Sequence, residues 1–303
     1  MTNTAIKPVR PLGLIAGAGR FPFLVAEGAR AAGRRVVIVG LRGLADPGLR
    51  DLADRFYWSG VVRLGRWIRV FRRTGCEQAI MAGSVRKREM YGRFRLLRYL
   101  PDWTSIRVWF FVAADKRNDT LLRAAADEMQ RRGVTLTDSV AYCAEHLAAA
   151  GVMTRTQPSP AQQRDAAFGW RIAKEMGRLD IGQSVAVKEQ EVIAVEAIEG
   201  TDDMIHRAGS LCRAGGWTLV KAAKPNQDLR FDVPTVGVAT IENLRQHGAR
   251  MLVVEAGRTL MVDRPDVIAA ADRRGIVILG MSATDDTASA RGLSDQPDRA
   301  NIR

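Results

Sequence analysis

The first forty residues constrain the fold more tightly than any other stretch of the chain. A short apolar run from Leu12 to Gly17 leads into Ala-Gly-Arg, a helical pattern follows from Phe23 to Ala32, and after Gly33 a second apolar run extends from Val36 to Leu41. Strand, glycine turn, helix and strand form the repeating unit of a layered parallel sheet with crossover helices. The alternation continues with a helix at 64–73, a strand at 78–82, a helix at 120–132 closed by Gly133, and a strand at 134–136. An all-β barrel or a plain helix bundle does not produce this order.

At 303 residues the chain exceeds one average domain, and a break is expected where the polar stretch TRTQPSPAQQ carries two prolines. The expected domains are 1–150 and 151–282, with a polar, aperiodic tail at 283–303 expected to be disordered. The second domain opens with a helix at 162–176 and a hairpin of runs at 184–187 and 192–197. A helix at 202–212 and a strand at 217–222 precede an irregular stretch at 224–237, and strands at 251–254, 260–262 and 276–279 alternate with two more helices. This second domain is also mixed α/β.

Composition narrows the function. No apolar run reaches the eighteen residues of a membrane span, and no signal-peptide core precedes a cleavage site, so a cytoplasmic protein is expected. The spacing of Cys76, Cys143 and Cys212 suits neither a disulfide framework nor a zinc knuckle, and His146, His206 and His247 share no metal-binding spacing. The formal charge of +13 is unevenly divided. Residues 1–150 hold 26 Lys and Arg against 13 Asp and Glu, whereas residues 151–303 hold 20 of each. Between Arg63 and Arg107, 12 basic residues face three acidic ones and are interleaved with Trp67, Phe71, Tyr91, Phe94, Tyr99 and Trp103. Basic residues mixed with aromatics suit a nucleic acid or an anionic membrane surface. The signatures of common nucleic-acid modules are absent, and the membrane surface is the preferred partner. A solvated arginine face with its aromatics packed inward reads from the same residues.

Three motifs carry chemistry. GAGRFP at 17–22 lies between a strand and a helix, where backbone N–H groups can receive a phosphate, but Pro22 replaces the third glycine of a dinucleotide fingerprint. A bare tight turn is the alternative. Glu199-Gly200-Thr201-Asp202-Asp203 opens a helix, where Thr201 or Asp202 can cap and the carboxylates can orient a hydrated cation. The stretch from Lys221 to Gly237 gathers Lys221, Lys224, Gln227, Asp228, Arg230 and Asp232 after a strand. Cations that neutralise phosphate oxygens, beside carboxylates that hold a metal or take a proton from water, suit phosphoryl chemistry. An ordinary solvated loop is again the alternative. Pro225 and Pro234 argue against one continuous helix through it. Leu179–Gln183 and Lys116–Asp119 read as turns or caps.

Several segments together resemble one family, the UDP-2,3-diacylglucosamine pyrophosphatases of the LpxI type in lipid A biosynthesis. They are LGLIAGAGRFP near the start, AGSV at 82–85, NDTLLRAAADEMQRRG at 118–133, GRLDIGQSVAV at 177–187, VEAIEGTDDMIHRAG at 195–209, KAAKPNQDLRFDVPTVGVATI at 221–241, and the closing strands and helix. The resemblance covers about residues 10–281. It implies a Rossmann-like N-terminal domain with a distinct α/β C-terminal domain, and hydrolysis of UDP-2,3-diacylglucosamine to UMP and 2,3-diacylglucosamine 1-phosphate with Mg²⁺. It makes Asp232 the catalytic carboxylate and Asp232, Asp228, Glu199 and Asp202 the metal ligands. Substrate contacts are expected from Gly17, Gly19, Gly83, Ser84, Asp119, Gln183, Gly200, Thr201, Lys221, Lys224 and Gln227. The implied location is the cytoplasmic face of the inner membrane, peripherally attached; a homodimer fits such a family. Arg117 and Asn118 depart from the family's usual glycine and aspartate. A binding protein that holds the same nucleotide-linked lipid without turning it over is the alternative.

Overall fold

The computed structural model describes residues 10–85, 101–112, 118–225 and 227–282. Tyr91, Phe94, Tyr99, Arg117 and the 283–303 tail therefore lie outside the described residues. The chain forms two compact units. The first runs to Ala144 and also takes Asp228–Asp232; the second takes Glu145–Gln227 and resumes at Val233.

The first unit is built on β1 (Leu12–Ala16), α1 (Phe21–Ala31), β2 (Val36–Leu41), β3 (Arg55–Ser59), α2 (Leu64–Arg73), β4 (Gln78–Ala82), α3 (Trp103–Arg107), α4 (Asn118–Arg131) and β5 (Thr135–Leu136). Its five strands are parallel in the order β3-β2-β1-β4-β5. Every residue of β1 and β2 is buried, which explains their unbroken apolar runs: a strand covered on both faces has no water-facing side on which to alternate. Helix α2 buries Leu64, Trp67, Ile68 and Phe71, spaced i, i+3, i+4, i+7, and turns Arg69, Arg72 and Arg73 outward, while the half-buried Arg66 donates to Trp58 O.

The second unit comprises β6 (Gly151–Val152), α5 (Pro160–Arg178), β7 (Ser184–Lys188), β8 (Glu191–Val195), α6 (Thr201–Leu211), β9 (Trp217–Lys221), β10 (Thr235–Val236), α7 (Val238–Gln246), β11 (Ala249–Glu255), β12 (Leu260–Met261), α8 (Arg264–Arg274) and β13 (Val277–Met281). The main sheet runs β6-β13-β11-β9-β7-β8. Strands β13, β11 and β9 are parallel, while the β7–β8 hairpin and β6 add antiparallel edges. Alternation along β11 sends Met251 and Val253 to the face covered by Trp170, and Leu252 and Val254 to the face covered by Met204, Ile241 and Val267.

Two details show how sequence sets local structure. Helix α5 starts with a capping box, Ser159 accepting the Gln162 N–H while the Gln162 side chain accepts the Ser159 N–H, and Pro160 occupies the first turn. The hairpin turn places Glu189 and Gln190 at φ 55° and 61°, a costly region for residues with a Cβ. The buried carboxylate of Asp165 accepts both of their N–H groups, at 3.1 and 2.7 Å, and holds the turn in that conformation.

Candidate functional site

In the first unit the strand order reverses direction between β1 and β4, so the loops leaving these two strands mark the position where open α/β sheets take ligands. There Gly17 N–H donates to Ala82 O, and Ala18 and Ser84 exchange two backbone hydrogen bonds of 3.0 and 2.9 Å. The glycines are needed for that approach: a Cβ on Gly83, whose φ is 94°, would lie 2.7 Å from Ala18 O, and one on Gly17 would lie 2.9 Å from Ser84 O. Gly17, Gly83 and Ser84 are thus brought together, and Gly19 follows Ala18 with open space where a Cβ would lie.

The segment from Asp228 to Asp232 also belongs to this unit. The hydroxyl of Ser139, a buried residue, lies 2.8 Å from Met81 O and 2.9 Å from Arg230 O, and its N–H donates to Leu229 O. Phe231 packs against the core beneath, with the Arg230 guanidinium 5.0 Å above its ring. Despite the flanking prolines, Phe231 and Asp232 both donate to Asp228 O, so the five residues close a single turn. Asp232 ends the turn and is exposed. Asp228 does not share that exposure: both of its oxygens are engaged by Arg230, at 2.7–3.2 Å.

This hydrogen-bonded arginine holds the Asp228 carboxyl below the usual Asp range, against the opposing effect of burial. A carboxyl lowered on folding adds stability above its unfolded pKa and loses it as pH falls through the folded value. The melting-temperature gap between wild type and Asp228→Asn should therefore be open near about pH 7 and close towards about pH 2, as followed by thermal unfolding across that range. A gap that stays constant on acidification would show that the pair does not set it.

In the second unit the carboxyl ends of β9 and β11 lie side by side, Val254 pairing with Lys221. Lys221, only 5% exposed, donates to Thr201 Oγ1 at 3.1 Å, and the Thr201 hydroxyl donates to Glu196 Oε1 at 3.0 Å. Glu196 is 7% exposed, and its other oxygen has no partner among the described residues. The expected cap at α6 is not made: Gly200 takes the N-cap position at φ 91°, and neither Thr201 nor Asp202 caps. The Thr201 hydroxyl serves Glu196 instead, and Asp202 accepts from Asn243. Glu199 is bound by Arg207 at 2.5 Å, and its own N–H together with that arginine keeps its carboxyl below the usual Glu range.

Farther along, Lys224 pairs with Asp180, and Gln227 closes a small turn by accepting the Lys224 N–H at 2.9 Å and donating its own N–H to Lys224 O. Gln183, half-buried, accepts the Ala222 N–H through its backbone carbonyl. Beneath these lies a buried ion pair. Glu255, 2% exposed, takes Lys174 Nζ on both oxygens at 3.0 Å and the Ala223 N–H at 2.7 Å.

The structure thus divides the expected residues. Gly17, Gly19, Gly83, Ser84, Asp228 and Asp232 belong to the first unit, and Gln183, Glu199, Gly200, Thr201, Asp202, Lys221, Lys224 and Gln227 to the second. Asp119 lies on α4, its side chain outside the described residues. Among the described residues no three His, Cys, Asp or Glu side chains gather as a metal cage. Sequence reasoning passed over Glu196, Glu255, Lys174 and Ser139. A carboxylate at the end of a predicted strand was the available signal for Glu196 and Glu255; Lys174 and Ser139 have none without the pairing.

Comparison with known proteins covers both units. The family model described as the LpxI N-terminal domain matches residues 11–146, and that of the LpxI C-terminal domain matches residues 149–279. The chain is 38% identical over 284 residues to a protein of Caulobacter vibrioides named UDP-2,3-diacylglucosamine pyrophosphatase LpxI. That alignment spans 90% of this chain and 98% of the relative. With both family domains in order and the relative matched nearly end to end, the chain belongs to the LpxI family.

Proposed function

We propose that this chain hydrolyses the pyrophosphate of UDP-2,3-diacylglucosamine to UMP and 2,3-diacylglucosamine 1-phosphate, in lipid A biosynthesis. The observation that carries this is the 38% identity, over nearly the full length of both chains, to a protein of that named activity. Water attacks the sugar-side phosphorus; a new P–O bond forms there, the bond to the bridging oxygen breaks, and UMP leaves with that oxygen. Such a transfer asks chiefly for positioning and charge neutralisation, so it needs no serine or cysteine nucleophile.

Asp232 is the residue to which we give the chemistry, as metal ligand or as acceptor of the attacking water's proton. Lys221 and Lys224 supply positive charge for phosphate oxygens, and the glycine loops Gly17–Gly19 and Gly83–Ser84 offer close backbone approach. A divalent cation belongs to this reading. Mg²⁺ is commonly held by one or two carboxylates with water and substrate phosphates, not by an all-protein cage, and an exposed Asp232 fits that donor set. When bound, it withdraws charge from the phosphate oxygens. Asp228, Glu199 and Asp202 then act as positioners unless the substrate displaces their present partners. A substrate with two acyl chains must be drawn from a membrane, and we place the protein at the cytoplasmic face of the inner membrane, peripherally attached. No helix among the described residues is long and apolar enough to cross it.

The test is incubation of the purified protein with UDP-2,3-diacylglucosamine and Mg²⁺, with and without EDTA, in water enriched in ¹⁸O. UMP and a labelled lipid phosphate, lost with EDTA, are expected by mass spectrometry. Intact substrate that co-purifies with the protein would overturn the reading in favour of a non-catalytic binding protein.

A further inference from the structure

Among the described residues of the first unit, the large hydrophobic side chains that are exposed all fall between Trp103 and Phe110. Trp103 is 74% exposed, Trp109 41% and Phe110 66%. Helix α3 runs on into a wider helical turn at Val108–Val112, so Trp103 lies at the start of the helical stretch and Trp109 and Phe110 lie on the turn that continues it. An exposed tryptophan and phenylalanine on one short helix are unusual on a soluble surface and mark a contact site.

The helix is fixed in place. The Asp102 carboxylate accepts the Ser105 N–H and the Arg66 N–H, each at 3.0 Å, and Ser105 Oγ accepts the Leu64 N–H at 3.0 Å. Thr104 is buried above Gly65, where a Cβ would lie 2.7 Å from its hydroxyl, and Arg107 pairs with buried Glu128 of α4. The helix that carries Trp103 is therefore already ordered, so a partner would not have to order it.

The helix it crosses supplies the charge. On α2, Arg69, Arg72 and Arg73 are exposed and make no ion pair with a described residue, and no acidic residue occurs in α2. Exposed aromatic rings on a helix that packs on the start of α2, together with unneutralised arginines farther along α2, match the headgroup layer of a bilayer containing anionic lipid: rings at the boundary between water and acyl chains, guanidinium groups on the phosphates.

We infer that Trp103, Trp109 and Phe110, with the arginine face of α2, dock this protein on an anionic bilayer. The inference deepens the proposed reaction by naming the surface that meets the membrane from which the two-chain substrate is drawn, and it rests on that reading for its purpose only. Charge complementarity and the exposed aromatics favour a lipid surface over a second copy of the same basic unit, which would repel it.

The experiment is flotation of the full chain with phosphatidylcholine vesicles containing either no phosphatidylglycerol or about a third, at low and at raised salt. Binding is expected to the anionic vesicles alone and to fall with salt. The triple variant Trp103→Ser, Trp109→Ser, Phe110→Ser should bind at least about tenfold more weakly, as removal of three rings from an apolar boundary requires. Arg69→Gln, Arg72→Gln, Arg73→Gln should remove the preference for phosphatidylglycerol. Both variants should hydrolyse substrate offered in detergent micelles at the wild-type rate, which shows that they fold. Triple-variant binding equal to wild type overturns the inference, as does wild-type binding to an oligonucleotide but to no vesicle. Absence of hydrolysis by wild type in micelles, with flotation as expected, would instead remove the proposed reaction and leave the docking surface.

Discussion

Replacing Asp232 with alanine is expected to lower turnover of UDP-2,3-diacylglucosamine at least about a hundredfold, the usual cost of losing a general base, while leaving substrate binding and melting temperature close to wild type. The split follows from how the residue is held. The turn that carries Asp232 is fixed through other groups: Ser139 against Arg230 O, Phe231 in the core, and Arg230 against Asp228. The Asp232 side chain is exposed, and its backbone N–H, which bonds to Asp228 O, survives the substitution. Steady-state kinetics and thermal unfolding on the same preparation read both quantities. Unchanged kcat would remove Asp232 from the chemistry, and a large fall in stability would mean that its role is structural. Asp228→Ala should show the reverse balance, because its carboxylate holds Arg230 over the turn.

The second large effect concerns stability. Lys174→Met leaves the Glu255 carboxylate buried with its main cationic partner removed, and breaking one side of a buried pair costs about 3–5 kcal/mol. For a unit of this size that corresponds to a drop in melting temperature of roughly 6–20 °C. Glu255 also accepts the Ala223 N–H, so the backbone leading to Lys224 and Gln227 should loosen with it. Amide exchange at Ala223 should quicken more than at the centre of β9. The double variant Lys174→Met, Glu255→Gln should recover part of the loss, since the amide keeps an acceptor for Ala223 without a buried charge. A single variant as stable as wild type would show that Arg258, 3.8 Å from Glu255, or water makes good the missing charge.

How far the residues foretold this arrangement depended on the range of the interactions involved. The β1–α1–β2 start and the β7–β8 hairpin were legible because their signals are local: apolar runs of strand length, a helical period and glycines between them. The helix at Thr201 is legible, but its cap is not: Gly200 takes the N-cap position, and the Thr201 hydroxyl, already inside the helix, accepts from Lys221 and donates to Glu196 instead. Lys174 looked like any polar position on an amphipathic helix. Only the pairing of β9 with β11 brings Ala223 to Glu255, and only the packing of α5 brings Lys174 there. The glycine loops were visible as turns, but the reason that Gly17 and Gly83 must lack side chains appears once Ala18 and Ser84 are seen to bond. The destination of Asp228–Asp232 was not legible at all, since nothing in those five residues states which core Phe231 will fill.

That destination has a consequence for synthesis. A nascent chain that has emerged through Ala144 holds the strands and helices of the first unit but not the piece that seats Phe231 against its core and gives Ser139 the Arg230 carbonyl. That piece leaves the ribosome only after everything from Glu145 to Gln227. The N-terminal unit therefore cannot finish folding in the order in which it is made. It must wait with an open seat while its neighbour is translated, and a gene cut between the two units would deliver a first half that never receives its last five residues.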